Sequence, residues 1–272
     1  MNKERGRHVN TDKKIKYRRK IKRYMFWKKN RKKVIVAAVL LAASTIMGCV
    51  VWRQTAGYDH GQDQTTFITQ GLRVTDFPEY DGKVYIVLNE GVPYFSEEDI
   101  NTLSGEYYGE LDELGRCTGA YAVLHQSMMP DRQREEIGMI KPTGWVQNKY
   151  PGVVDSNPPY LYNRCHMIAY AMTGQNANEK NLITGTRYFN VAGMLPWEMK
   201  ILKYLESNKN HVLYRVTPYF RKRELLARGV EMEAFSLEDR GKGICFHVFV
   251  YNVQPGIEID YATGENRPES GR

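Results

Sequence analysis

The sequence predicts an α+β domain on a mostly antiparallel sheet, preceded by one N-terminal transmembrane helix. His211–Thr217 alternates apolar and polar residues with a period of two, as a half-buried strand does, and several apolar runs beyond residue 80 also read as strands. No βαβ repeat, GxGxxG or P-loop is present, which excludes a doubly wound parallel sheet. Residues 34–52, VIVAAVLLAASTIMGCVVW, hold no charged side chain; their length approaches the roughly 20 apolar residues that cross a bilayer.

The flank of that segment gives it a direction. Residues 1–33 hold 16 of the 39 Lys and Arg but only two of the 31 acids, Glu4 and Asp12, a local charge of +14. The formal net charge of +8 therefore leaves −6 on the rest of the chain. A soluble amphipathic helix would carry a polar stripe, whereas this run has none, and Trp27 and Trp52 bracket it as interfacial anchors. The positive-inside bias keeps the tail cytoplasmic and puts everything after Trp52 outside the cell membrane. A cleaved signal peptide would have a shorter leader and a shorter apolar stretch. A lipoprotein site at Cys49 fits poorly, because Val50, Val51 and Trp52 continue the apolar run. The tail reads as a stop-transfer flank or an anionic-lipid contact.

Composition narrows the rest. With 42% hydrophobic and 26% charged residues, wholesale disorder is excluded. An acidic body cannot attract a polyanion through its overall field, so nucleic-acid binding would need a local site and a cation. Cys117, Cys165 and Cys245 allow at most one disulfide, with the partners undetermined.

Along the chain, residues 53–79 read as a stalk, 80–262 as the globular domain and 263–272 as a flexible tail. Val84–Leu88 reads as a strand. Ser96 precedes Glu97, Glu98 and Asp99 as the N-cap of a helix. Gly119–Leu124, His211–Thr217, Val230–Phe235 and Ile244–Val253 read as further strands, and Pro142–Trp145 as a loop. Thr186–Ala192 supplies a helical turn or two, after which Pro196 opens a second helix as its first residue.

The chemistry concentrates in Tyr162–Tyr170. Arg164 and His166 stand two residues apart, which in extended backbone places both on one face. An imidazole can take a proton from water near neutral pH, and a guanidinium can neutralise a phosphate oxygen. Downstream, Asn190 and Glu198 offer the hard oxygen donors that magnesium prefers. His125, His211 and His247 read as structural, and Cys165 as packing.

The ordered blocks YNRCHMIAYAMTGQNANEKNLITGTRYFN, GMLPWE and HVLYRVTPYF, with weaker support from LDELGRC and IKPTGW, resemble the DNA/RNA non-specific endonuclease family. Within it they look most like bacterial DNA-entry nucleases and exported streptococcal-type DNases. The resemblance covers most of residues 80–262. It implies a ββα-metal core, or His-metal finger, in which a hairpin delivers the histidine and the next helix the metal ligand. On this chain it implies His166 as general base and Arg164 as the residue that orients a phosphate or stabilises charge. Asn190 becomes the direct ligand of Mg²⁺, with Mn²⁺ as a substitute, and Glu198 holds the ion's waters. Arg187 and Asn163 become substrate contacts, and Asn181 shapes the loop beneath the metal. The implied activity is sugar-non-specific cleavage of DNA and RNA, leaving 5′-phosphates. Two positions depart from the family pattern: its first Asp is Asn163 here, and its Gly is Cys165. These departures motivate an alternative, a catalytically impaired surface protein that binds nucleic acid for uptake.

Overall fold

The computed structural model describes residues 77–270. The basic tail, the 34–52 span and all but the end of the 53–79 stalk lie outside the described residues. Among the described residues no helix is long and apolar enough to cross a membrane.

Strand β1 (Tyr85–Val87) leads to helix α1 (Glu97–Thr102) and strands β2 (Glu106–Tyr108) and β3 (Ala120–Leu124). Ser96 starts α1 through a reciprocal capping box. Its hydroxyl accepts the Asp99 N–H at 3.1 Å, and the Asp99 carboxylate accepts the Ser96 N–H at 2.7 Å. A long irregular segment then reaches β4 (Tyr162–His166), helix α2 (Tyr170–Thr173) and β5 (Leu182–Thr186). A widened π-turn over Phe189–Met194 runs into helix α3 (Leu195–Ser207), and strands β6 (Val212–Tyr219), β7 (Gly229–Ser236) and β8 (Cys245–Tyr251) follow. Two short strands, β9 (Ile257–Ile259) and β10 (Asn266–Pro268), close the chain.

Six strands form one antiparallel sheet in the order β1-β8-β7-β6-β3-β2. One face is apolar: Tyr214, Val216, Met232, Ala234 and Val248 pack with Ile201 and Leu205 of α3 into the main core. The alternate positions carry Arg215, Glu231, Glu233 and His247. Their polarity suggests a solvent face, yet all four are buried. The segment after residue 77 covers them: the Tyr94 N–H donates to Glu233 at 2.7 Å, and Val92 O lies 3.1 Å from His247 Nδ1. Arg215 pairs with Glu233 at 2.6 Å, which offsets the cost of removing both charges from water.

Two segment boundaries differ from the sequence expectation. Phe77, Pro78 and Glu79, read as stalk, already belong to the domain. The Phe77 ring stacks on Phe249 with centroids 3.9 Å apart, and Tyr251 Oη donates to Pro78 O. The end read as a flexible tail is ordered through residue 270 and supplies β10, paired with β9. Polar composition concealed it, because its partners are loops rather than a core. Pro196 stands in the first turn of α3, as expected, but the two helical pieces are joined. The chain does not stop and restart there; the π-turn passes directly into α3. Pro196 lacks the N–H of a regular turn and its ring crowds the carbonyl four residues back, and the widened turn accommodates both effects.

The small β4–β5 ladder and the π-turn with α3 make the ββα unit. His166 pairs with Leu182 and Arg164 with Thr184 across the ladder. Asn181, fully buried, closes the connection: its Oδ1 accepts the Ile168 N–H at 2.8 Å and its Nδ2 donates to Ile168 O at 2.9 Å. Gly185 lets the unit close on the helix. A Cβ there would sit 2.5 Å from Phe189 Cδ1 and 2.6 Å from Cys165 Sγ.

Asn266 ties the C-terminal end to the loop before β4. Its Nδ2 donates to Val146 O at 2.8 Å, and its Oδ1 accepts from Asn148 Nδ2 at 3.0 Å and Tyr150 Oη at 2.7 Å. Asn266→Ala removes these three bonds and a fourth, from Nδ2 to Gly264 O at 2.9 Å, and is expected to lower stability by about 1–3 kcal/mol, read as a lower midpoint in thermal melts. An unchanged midpoint would show that this tie carries no load.

Candidate active site

Strand β4 ends at the only buried histidine of the ββα unit. His166 Nε2 lies 2.8 Å from the Asn176 carbonyl, and its Nδ1 lies 3.4 Å from Arg134 Nη2. A carbonyl only accepts and a guanidinium only donates, so the proton sits on Nε2 and the Nδ1 lone pair points toward Arg134. Burial draws the imidazole down to about 4; the Asn176 carbonyl opposes the shift and the Arg134 charge adds to it. His166 is therefore a neutral base across the physiological range.

Beside it opens a cleft of about 400 Å³ whose walls include Asn163, Arg164, Arg187, Asn190 and Arg134. Three guanidinium groups face it and no carboxylate lines it, so its local potential is opposite to that of the acidic body. Arg164 is partly committed. Its Nε donates to Ile140 O, its Nη2 to Gly138 O at 2.8 Å, and its guanidinium lies 4.2 Å over the Trp145 ring. The Nη1 donors remain for a ligand. Arg187 keeps a buried Nε–H without an acceptor among the described residues, an unmet demand that an anion would satisfy.

Of the six residues singled out from sequence, four line this cleft: Asn163, Arg164, Arg187 and Asn190. His166 and Glu198 do not. His166 lies behind Arg134, and Glu198 is buried on the first turn of α3. Glu198 has no hydrogen-bond or ion-pair partner among the described residues, and burial pushes its carboxyl up to about 8. A nearby cation would restore its charge, so this donor set, a buried carboxylate and the Asn190 amide on one helical run, fits a hard divalent metal. Outside the site, Glu231, Glu233 and His247 form a second carboxylate–imidazole cluster. Its members are already engaged: His247 Nε2 meets Glu231 at 2.5 Å, and Tyr219 Oη donates to Glu231 at 2.7 Å. Cys165 faces Phe189, on the helix side of the strand, and burial pushes its thiol up. It packs rather than reacts, and the three described cysteines are free.

Arg134 is the residue that the sequence did not offer. It sits in an irregular, mixed-charge segment, PDRQREE, far from the hairpin in sequence and without periodicity. Only the fold brings it to the histidine.

A family model described as DNA/RNA non-specific endonuclease matches residues 97–237. The chain belongs to this family, a family of phosphodiester hydrolases. A deoxyribonuclease of Streptococcus dysgalactiae subsp. equisimilis is 29% identical over 210 aligned positions. The match covers 62% of each protein, so the chain spans less than two thirds of that relative's length. The fold is similar to that of NucA from Streptococcus agalactiae with magnesium bound, at TM-score 0.59 and 25% identity, over 67% of this chain and 86% of that one. It is also similar to Sda1 nuclease with bound zinc, at TM-score 0.56 and 26% identity, over 68% of this chain and 97% of that one. A mixed α/β nuclease fold with an antiparallel sheet is thus common to all three.

The two shifted groups make opposite predictions for the metal-free protein. A carboxyl whose folded pKa is raised stabilises the fold below its unfolded value near 4.5 and loses that contribution as pH climbs toward 8. Glu198→Gln is therefore expected to melt above wild type at pH 8 and level with it at about pH 4; a lower midpoint at pH 8 would contradict the burial argument. A depressed imidazole contributes stability above 6.5 that is lost as pH falls toward 4. The His166 ring resonances in NMR should titrate well below 6.5, and a midpoint at or above that value would refute the assignment.

Proposed function

We propose that this domain is the catalytic part of a divalent-metal-dependent, sugar-non-specific endonuclease. It hydrolyses phosphodiester bonds of DNA, and of RNA, in the arginine-lined cleft, with His166 as general base. The observation that carries the reading is the His166 tautomer: Nε2–H is fixed on a backbone carbonyl, so the basic lone pair is on Nδ1, which Arg134 Nη2 meets at 3.4 Å and which becomes available to water when that guanidinium turns to a phosphate in the cleft.

Asn190 and Glu198 would hold the cation, Asn190 directly and Glu198 through water. Magnesium is the expected ion and manganese its substitute; the magnesium in the NucA structure and the zinc in Sda1 nuclease support a divalent ion at such a fold. When bound, the cation supplies charge neutralisation at the phosphate and at the leaving oxygen. The residues of the chain do the rest. His166 Nδ1 removes the proton from the attacking water, help typically worth about 10²–10⁴ in rate. Arg134 and the free donors of Arg164 hold non-bridging phosphate oxygens, and the unmet Nε–H of Arg187 binds a neighbouring phosphate. Asn163, on the cleft wall, contacts the strand without supplying a carboxylate. The resemblance to the family implies that the products carry a 5′-phosphate and a 3′-hydroxyl. Contacts confined to phosphate carry no base sequence.

The 34–52 segment anchors the chain in the cell membrane with residues 1–33 cytoplasmic and the nuclease domain outside. The charge-free run and the +14 tail support that placement.

Full-length protein in detergent is expected to degrade plasmid DNA with Mg²⁺ and to stop on addition of EDTA. His166→Ala and Asn190→Ala should each lower the rate by at least about a hundredfold. Arg134→Ala should also slow cleavage, because it removes charge beside the base. Equal cutting by His166→Ala would end the general-base assignment. Binding without cleavage under any metal would assign the chain to nucleic-acid capture instead.

A further inference from the structure

One lip of the cleft carries an aromatic ring for which the fold has no use. Tyr160 is 40% exposed, belongs to no hydrophobic cluster and makes no hydrogen bond through its hydroxyl among the described residues. Its backbone is nevertheless held firmly. Lys149 and Tyr160 form an antiparallel bridge, the Tyr150 N–H donates to Pro159 O at 3.0 Å, and the Leu161 N–H donates to Asn148 O at 3.0 Å. Gln147 then pairs with the backbone of Tyr162 through both its amide atoms, at 2.7 and 2.9 Å. The Lys149 ammonium stands 4.9 Å from the centre of the Tyr160 ring. Tyr160 lines the same cleft as Arg134, Arg164 and Arg187. Of the other two aromatic residues lining the cleft, Trp145 is already covered by Arg164 and Tyr162 is buried.

An exposed ring on a fixed backbone loses little conformational freedom when a flat ligand stacks on it. A cation on one face and guanidinium groups alongside select a ligand that is both planar and anionic. We propose that Tyr160 is a stacking platform for the base of a nucleotide next to the bound phosphate, and that the cleft therefore favours unpaired strands over intact duplex. The inference rests on reading this cleft as the phosphodiester site. In a duplex each base is sandwiched between its neighbours and offers no free face, whereas an unpaired base offers its whole π-surface. Lys149 adds a phosphate contact to the same nucleotide step.

The test uses full-length protein in detergent with EDTA, so that binding is read without cleavage. The probe is a single-stranded oligonucleotide bearing 2-aminopurine, and the same strand annealed to its complement. Wild type and Tyr160→Phe should quench the fluorescence of the single strand. Tyr160→Ala should abolish the quenching and weaken single-strand binding roughly tenfold, the size base–aromatic stacking carries, while duplex binding changes less than about twofold. Matching thermal midpoints exclude a folding effect for this exposed side chain. Quenching that survives in Tyr160→Ala, or equal losses on single and double strands, would overturn the proposal and leave a groove that reads duplex backbone only. The nuclease reading fails separately: protein that quenches the probe but cuts nothing with Mg²⁺ keeps the platform and loses the catalysis.

Discussion

The missing side chain at Gly185 is the constraint on which the site depends. It lets Phe189 and Cys165 meet in the notch between the hairpin and the helix that follows it. Because strand residues alternate in direction, seating Cys165 toward the helix turns Arg164 and His166 the other way. The same contact fixes where the helix starts relative to β5, and so where Asn190 and Glu198 stand. Any Cβ at position 185 would push the hairpin off the helix, and a core packed at crystal-like density has no slack to absorb it. The cysteine in the position where the family carries glycine thus takes part in the packing that aims the histidine.

Electrostatics in this domain are local. The chain beyond the basic tail is acidic overall, yet three arginines face one cleft with no carboxylate among its lining residues. Elsewhere charge is neutralised in place, as where Arg215 and Glu233 face each other across β6 and β7 beneath the covering segment. The result is a body without an overall positive field that concentrates positive charge at one groove. Burial then sets the chemistry of that groove. Behind its wall, burial lowers the basicity of His166 and raises the carboxyl of Glu198, so the two groups are shifted in opposite directions by the same removal of water.

Much of this was legible in the sequence. The alternation of His211–Thr217 located β6, apolar runs located β3, β7 and β8, the acids after Ser96 marked the start of α1, and the ordered motif blocks identified the family. The illegible parts share a physical cause: each depends on contacts between segments distant in the chain. Arg215, Glu231 and Glu233 look like a solvent face until the segment at 77–95 is laid over them. Arg134 has no pattern of its own and gains meaning only beside His166. The polar residues of β10 look frayed because, beyond the short ladder to β9, Asn266 finds its acceptor on a backbone carbonyl more than a hundred positions upstream. Pro196 marked the start of α3, but the widened turn that joins α3 to the residues before it has no signal in one dimension.

The tie at Asn266 has a mechanical meaning. The wall that presents Trp145, Gln147 and Tyr160 to the cleft is pinned by a side chain near the C-terminal end of the described chain, outside the segment that matches the family. The C-terminus is thus a lever on the mouth of the groove. Because Tyr162 Oη also donates to Gly264 O at 2.9 Å and Gln147 pairs with the Tyr162 backbone, tension applied there, by a fused domain or by a surface to which the chain end adheres, would be transmitted both to the groove's outer wall and to strand β4.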